Sequence, residues 1–164
     1  MSTVFQDAIS EGLKQAESAI HVKKNILEIV QDFCTELQNA LNQKFPHQKI
    51  EVYQYNKSLI QKSDEDLDFQ PYQDDFRKKV LSAAIYETCI LVKLDDNDIE
   101  SSKDFCIFRY MLNDSNGYPV RIKFRNQTIY ADDALALEES MGRAFKSRSL
   151  ALLEFLRNNS TDNQ

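Results

Sequence analysis

The first 45 residues carry the pattern that most constrains the fold, because apolar residues recur there at alternating intervals of four and three positions. This spacing places one line of side chains along a single side of an α-helix, as in the seam of a coiled coil. Pro46 is expected to end the helix, since proline disfavours α geometry in the residue before it. The seam consists of Ile9, Leu13, Ala16, Ile20, Leu27, Val30, Cys34, Leu37 and Leu41.

The two halves of this helix differ in the width of their apolar side. From Ile26 onward, residues such as Phe33 widen the seam into a face that suits packing on a sheet, whereas the narrower seam before it suits a partner helix. We therefore expect residues 1–25 to protrude as an assembly helix. Gly12 and the polar stretch at 21–25 are the places where a kink or a break into two helices is expected.

The rest of the chain predicts strands followed by helices. Strand patterns occur at 49–55, 84–94, 105–112, 120–125 and 128–130. A short helix is expected after Pro71, and Asp132 or Asp133 is a candidate N-cap for the closing helical region. The apolar periodicity of that region changes phase between Gly142 and Ser149, so two short helices or one kinked helix are expected there. We predict an α+β fold with a long N-terminal helix and C-terminal helices packed on a mainly antiparallel sheet of about four to five strands. Residues 1–164 form one domain in this interpretation, with a frayed tail at 158–164.

Composition indicates a cytoplasmic protein. The three cysteines, Cys34, Cys89 and Cys106, are odd in number and lie inside apolar patterns, which is typical of buried reduced thiols. We expect neither a secretory signal nor a membrane span, since no run approaches the roughly 18 apolar residues that a span needs. The net charge of −6 weighs against general nucleic-acid binding.

An acidic segment in the middle of the chain is a candidate docking epitope. Asp64, Asp66 and Asp68 alternate there, and Phe69 stands among them. The alternation is similar to the start of a calcium-binding EF-hand loop, but Phe69 occupies the position that requires glycine, so we expect no metal site. The alternative is a solvated loop without a partner.

Basic residues alternate along one predicted strand. Arg121, Lys123 and Arg125 would project to the same side, and Arg109 lies on a neighbouring strand. Such a row could follow a phosphate backbone, with Arg143, Lys146 and Arg148 as an extension and Tyr118 and Tyr130 as the nearest aromatic residues. The alternative is a solvated sheet face whose cations contact the protein's own acidic loops.

The sequence contains no recognisable catalytic or metal motif. His21 and His47 share no motif with a cysteine or an acidic cluster, although a pairing that forms only in three dimensions stays open. Glu87 lies in a predicted buried strand, where a carboxylate must be paired, and Lys93 or Arg109 are the expected partners. We predict no enzyme activity, no metal, no cofactor and no small-molecule substrate.

These patterns favour a non-enzymatic protein-interaction module, such as an adaptor, an inhibitor, a chaperone-like protein or an accessory subunit. Its partner would be another protein, a second copy of the chain, or both. Ile9, Leu13, Ala16 and Ile20 would assemble it, although Lys23 on the seam argues against a dry two-stranded coil. A nucleic-acid-binding accessory protein that uses the basic strand is the alternative.

Overall fold

The computed structural model describes residues 3–58, 86–94 and 103–159. Within them lie two helices and five strands, in the order of the chain. They are α1 (Thr3–Lys44), β1 (Ile50–Ser58), β2 (Tyr86–Leu94), β3 (Lys103–Asn113), β4 (Gly117–Phe124), β5 (Gln127–Ala131) and α2 (Ala134–Asn158). The short helix predicted after Pro71 falls outside the described residues.

The five strands form an antiparallel sheet in which each strand pairs with its neighbours in sequence, in the order β1-β2-β3-β4-β5. Both helices pack on the same face of this sheet, and they contact each other through the rings of Phe33 and Phe145. The predicted α+β fold is therefore confirmed.

Both helices are uninterrupted. α1 runs for 42 residues through Gly12 and through the polar stretch at 21–25, so the break into two helices does not occur. One glycine costs only about 1 kcal/mol in a helix, too little to break one of this length. α2 is also a single helix, with Asp133 as its N-cap, whose carboxylate accepts a hydrogen bond from the backbone N–H of Ala136 at 2.8 Å.

The apparent loss of apolar periodicity in α2 has a structural cause. Arg148 occupies the core-facing position between Ala144 and Leu152, and its guanidinium lies 4.6 Å from the centre of the Phe105 ring. It also donates a hydrogen bond to the carbonyl oxygen of Cys106 at 3.1 Å. The arginine thus fills the place where the sequence pattern lacks an apolar residue.

The second half of α1 forms the centre of the core. Its buried residues are Ile26, Val30, Cys34, Leu37 and Leu41. The same helix is hydrogen-bonded to β1, because the side-chain oxygen of Gln38 accepts a hydrogen bond from the backbone N–H of Val52 at 2.9 Å. This contact supplies a partner for a strand-edge donor and fixes α1 along β1.

The turn between β3 and β4 requires glycine where it meets α1. Gly117 has a φ of +86°, and a Cβ placed on it would lie 3.0 Å from Cδ1 of Ile26. We expect Gly117→Ala to lower the free energy of unfolding by about 1–3 kcal/mol, measured by chemical denaturation. Gly142→Ala is the matched control, since a Cβ there meets no atom within 4 Å and the substitution should favour α2. Equal stability of Gly117→Ala and the unsubstituted protein would contradict this account of the turn.

Candidate functional site

The first half of α1 extends away from the sheet. Every side chain from Thr3 to Ser18 is exposed, and the first residue of the helix that packs against the core is Val22. At about 1.5 Å per residue, the exposed turns alone are close to 25 Å long. The described body therefore leaves this segment uncovered, and its side chains are available for contacts with another partner.

Large apolar side chains lie in a line along this exposed segment. Phe5 is 72% exposed, and Ile9, Leu13 and Ile20 are 63%, 61% and 66% exposed. Together with Ala16 they fall within an arc of about 80° around the helix axis, and we call these five residues the apolar stripe. The sequence-predicted assembly residues all lie on the stripe. Phe5 was missed because the strict seam spacing places Gln6 rather than Phe5 at the next position.

The stripe ends at a contact between α1 and the β3–β4 turn. The ammonium group of Lys23 donates a hydrogen bond to the carbonyl oxygen of Asp114 at 2.5 Å. The polar interruption of the seam therefore marks the boundary between the exposed half of α1 and the half that packs on the sheet.

Beyond this boundary the stripe leads into a groove. Leu27, which is 47% exposed, lies in the same arc of α1 and forms one wall of a cavity of about 660 Å³. Met111 and Leu112 of β3 also line it. Two further lining residues are hydrogen-bonded to each other, since the hydroxyl of Tyr110 donates to the side-chain oxygen of Gln54. We call this cavity the end groove.

The two flanks of the stripe differ in chemistry. On one side lie the small residues Gly12 and Ala19, and a Cβ on Gly12 would meet no atom within 4 Å. On the other side lie the charged residues Glu17 and Lys24, both of them exposed. A second helix could therefore approach closely on the first side and meet a polar flank on the second.

The other predicted docking residues cannot be placed. Asp64, Asp66, Asp68 and Phe69 lie outside the described residues, so the docking epitope stays a prediction.

The predicted basic residues lie mostly on one face of the sheet. In the strand register Arg109 pairs with Lys123, and Arg121 pairs with Tyr130, so these four side chains share the face opposite the core. Arg125 lies instead in the turn between β4 and β5, with a φ of +52°. The strand pattern breaks there because the two-residue hairpin turn needs positive φ.

Glu87 neutralises part of this face. Its two carboxylate oxygens lie 3.6 Å from guanidinium nitrogens of Arg109 and Arg121. Glu87 is buried, so the ion pair with Arg109 that the sequence predicted is confirmed. Within the described residues, Lys123 and Arg125 have no such ion pair.

A second cavity, of about 470 Å³, opens beside the β4–β5 turn. Four cationic residues line it, and its other polar side chains are neutral. The cations are Arg109, Lys123, Arg125 and Arg148. The sequence grouped Arg148 with Arg143 and Lys146, but neither of those two lines this cavity.

The cysteines have the character of structural thiols. All three lie within the described residues and form no disulfide. Burial raises the pKa of Cys34 to about 11, and the pKa of Cys106 is raised by a hydrogen bond with Cys89 and by burial. Neither Cys34 nor Cys106 is a thiolate at neutral pH, and a protonated thiol is a poor nucleophile. Across the part of the chain that the structure describes, no three His, Cys, Asp or Glu side chains form a metal-binding group.

Comparison with known proteins gives no match to a family model, a curated protein or a solved structure. None of the described helices combines the length and the apolar character that a membrane crossing requires. The candidate functional surfaces of the described residues are the apolar stripe, the end groove and the face that carries Arg109, Arg121 and Lys123, called the basic face.

Proposed function

We propose that this protein is a non-enzymatic interaction module that binds an apolar helix of another polypeptide along the exposed half of α1. One observation carries the proposal: four large apolar side chains, each more than 60% exposed, stand in one line on a helix that the described body does not cover. Soluble proteins rarely expose such a contiguous row unless it is an interaction surface.

The energetics support a helix as the bound element. Burial of a side chain such as Leu13 or Ile20 contributes roughly 1.5–3 kcal/mol of binding free energy. Burial of the whole stripe therefore contributes enough to offset the cost of association. The narrow, straight stripe matches the anchor pattern by which one helix recognises another. We propose the cytoplasm as the location, and the thiol form of the cysteines supports this.

The test is affinity capture with stripe variants. We expect a triple variant, Ile9→Gln, Leu13→Gln and Ile20→Gln, to capture at least about tenfold less partner than the unsubstituted protein does from nuclease-treated lysate of the host. The matched control substitutes Glu11→Gln and Ser18→Gln on the opposite side of the same helix segment, and it should capture as much as the unsubstituted protein. Equal capture by the triple variant and the control would remove the proposal.

The basic face favours a second candidate function, binding of single-stranded nucleic acid. Tyr130 is 61% exposed and lies across from Arg121, two residues along β5 from Thr128 at the rim of the cationic cavity. This is a separation of about 7 Å, which suits a base stacked on the tyrosine while its phosphate enters the cavity. The net charge of −6 and the pairing of two arginines with Glu87 weigh against it.

Salt dependence tests this second function. If it holds, Lys123→Ala combined with Arg125→Ala should weaken binding of a labelled single-stranded oligonucleotide by about tenfold and make the salt slope shallower by about one unit. Fluorescence anisotropy at several salt concentrations measures both quantities. The charge-matched control, Lys44→Ala with Lys49→Ala, removes two exposed cations away from this face and should leave both quantities nearly unchanged. No oligonucleotide binding by the unsubstituted protein at low salt would exclude the function.

A further inference from the structure

We infer that the helix bound by the apolar stripe is the same stripe of a second copy of this chain, running antiparallel. The inference rests on the proposed function, since it names the partner of the same surface. It places Leu13 of each copy against Ala16 of the other and makes α1 the axis of a symmetric dimer.

The order of residues along the stripe defines this arrangement. In an antiparallel pair centred between Leu13 and Ala16, Ile9 of one copy faces Ile20 of the other, and each leucine packs on an alanine. Such large-on-small pairing fills the space between two helices without overlap. Lys23 of one copy faces Gln6 of the other, so the polar positions of the seam meet at the two ends of the interface.

Other arrangements are worse. In a parallel pair Lys23 would face its own copy, which places two like charges on the seam. An antiparallel pair displaced by one heptad sets Lys23 against Leu13 in one direction and Gln6 against Ala16 in the other. Only the centred register matches apolar with apolar and polar with polar along the whole exposed segment.

The small flank of the stripe is complementary to itself in the same register. Gly12 of one copy lies beside Ala19 of the other, where the open space at Gly12 lets the two backbones approach. This contact occurs twice in the dimer.

The length of the exposed segment also fits. The overlap runs from Phe5 to Lys24 in each copy, about 30 Å of helix, and it stops where Ile26 enters the core. The first turn of one copy, with Val4 and Phe5, then reaches Leu27 at the mouth of the other copy's end groove. The dimer therefore covers the stripe from end to end and leaves each core undisturbed.

Sedimentation and a disulfide cross-link test the partner and its direction. We expect sedimentation equilibrium to give twice the 19.1 kDa chain mass. In the antiparallel register Leu13 of one copy faces Ala16 of the other, so a mixture of the Leu13→Cys and Ala16→Cys variants should form a disulfide-linked dimer under mild oxidation. Each variant alone should form at least about tenfold less, because in this register neither new cysteine faces its own copy. The unsubstituted protein is the control for the three native cysteines.

Each other outcome overturns a defined part of the inference. A protein that stays monomeric at high concentration overturns self-association, while capture of a different protein by the stripe would still support the proposed function. A dimer in which the Leu13→Cys or the Ala16→Cys variant alone cross-links as well as their mixture overturns the antiparallel register. A dimer that the Ile9→Gln, Leu13→Gln and Ile20→Gln variant leaves intact uses another surface and overturns the inference altogether.

Discussion

Ile26→Ala is expected to lower the free energy of unfolding by about 2–5 kcal/mol, one of the two largest effects that the structure predicts. Ile26 is fully buried, and its Cδ1 is the nearest heavy atom to the position that a Cβ on Gly117 would occupy. Truncation removes the transfer free energy of three carbon atoms and leaves a cavity between α1 and the β3–β4 turn. Urea denaturation followed by circular dichroism measures the change.

The matched control lies six residues earlier in the same helix. Ile20→Ala makes the same chemical change at a side chain that is 66% exposed, so the isolated chain should lose less than about 0.5 kcal/mol. Protein concentration must be varied in both measurements, because a self-associating chain gains stability by mass action. Similar losses for the two variants at low concentration would show that the first half of α1 is packed on the body.

The regular elements were predictable because their periodicity is strong. The seam from Ile9 to Leu41 specifies a helix whatever surrounds it, and the alternation along β4 specifies a strand with one buried face. Pro46 defined the end of α1 to within two residues. The continuity of α2 was not predictable, because Arg148 fills a core position only by stacking on Phe105, and that contact joins residues more than 40 positions apart.

The candidate site was predictable only in part. The seam spacing predicted Ile9, Leu13, Ala16 and Ile20, but it does not indicate which turns of the helix the body covers. The exposed fractions of the side chains show this, and they include Phe5, which lies beside the seam. The role of Lys23 could not be derived either, since its hydrogen bond to Asp114 depends on where the β3–β4 turn meets α1. Periodicity along one helix carries no information about a contact with a distant turn.

Leu13→Ala is expected to weaken self-association about 10³-fold, because the dimer contains the Leu13 contact with Ala16 twice. Each truncation removes three buried carbon groups at about 0.8 kcal/mol apiece, so the two contacts together lose roughly 5 kcal/mol. The isolated chain should stay folded, since Leu13 is 61% exposed and alanine is the better helix former. Sedimentation equilibrium over a wide concentration range measures the dissociation constant.

Leu135→Ala provides the comparison that separates a contact from a general effect of hydrophobicity. Leu135 lies in the first turn of α2 and is 65% exposed, so its truncation makes the same chemical change at nearly the same exposure. Outside the stripe this change should leave the dissociation constant within about twofold of the original value. If both leucine variants weaken the dimer equally, the interface is not confined to α1. If only Leu13→Ala does so, the exposed half of α1 is the surface that holds the two copies together.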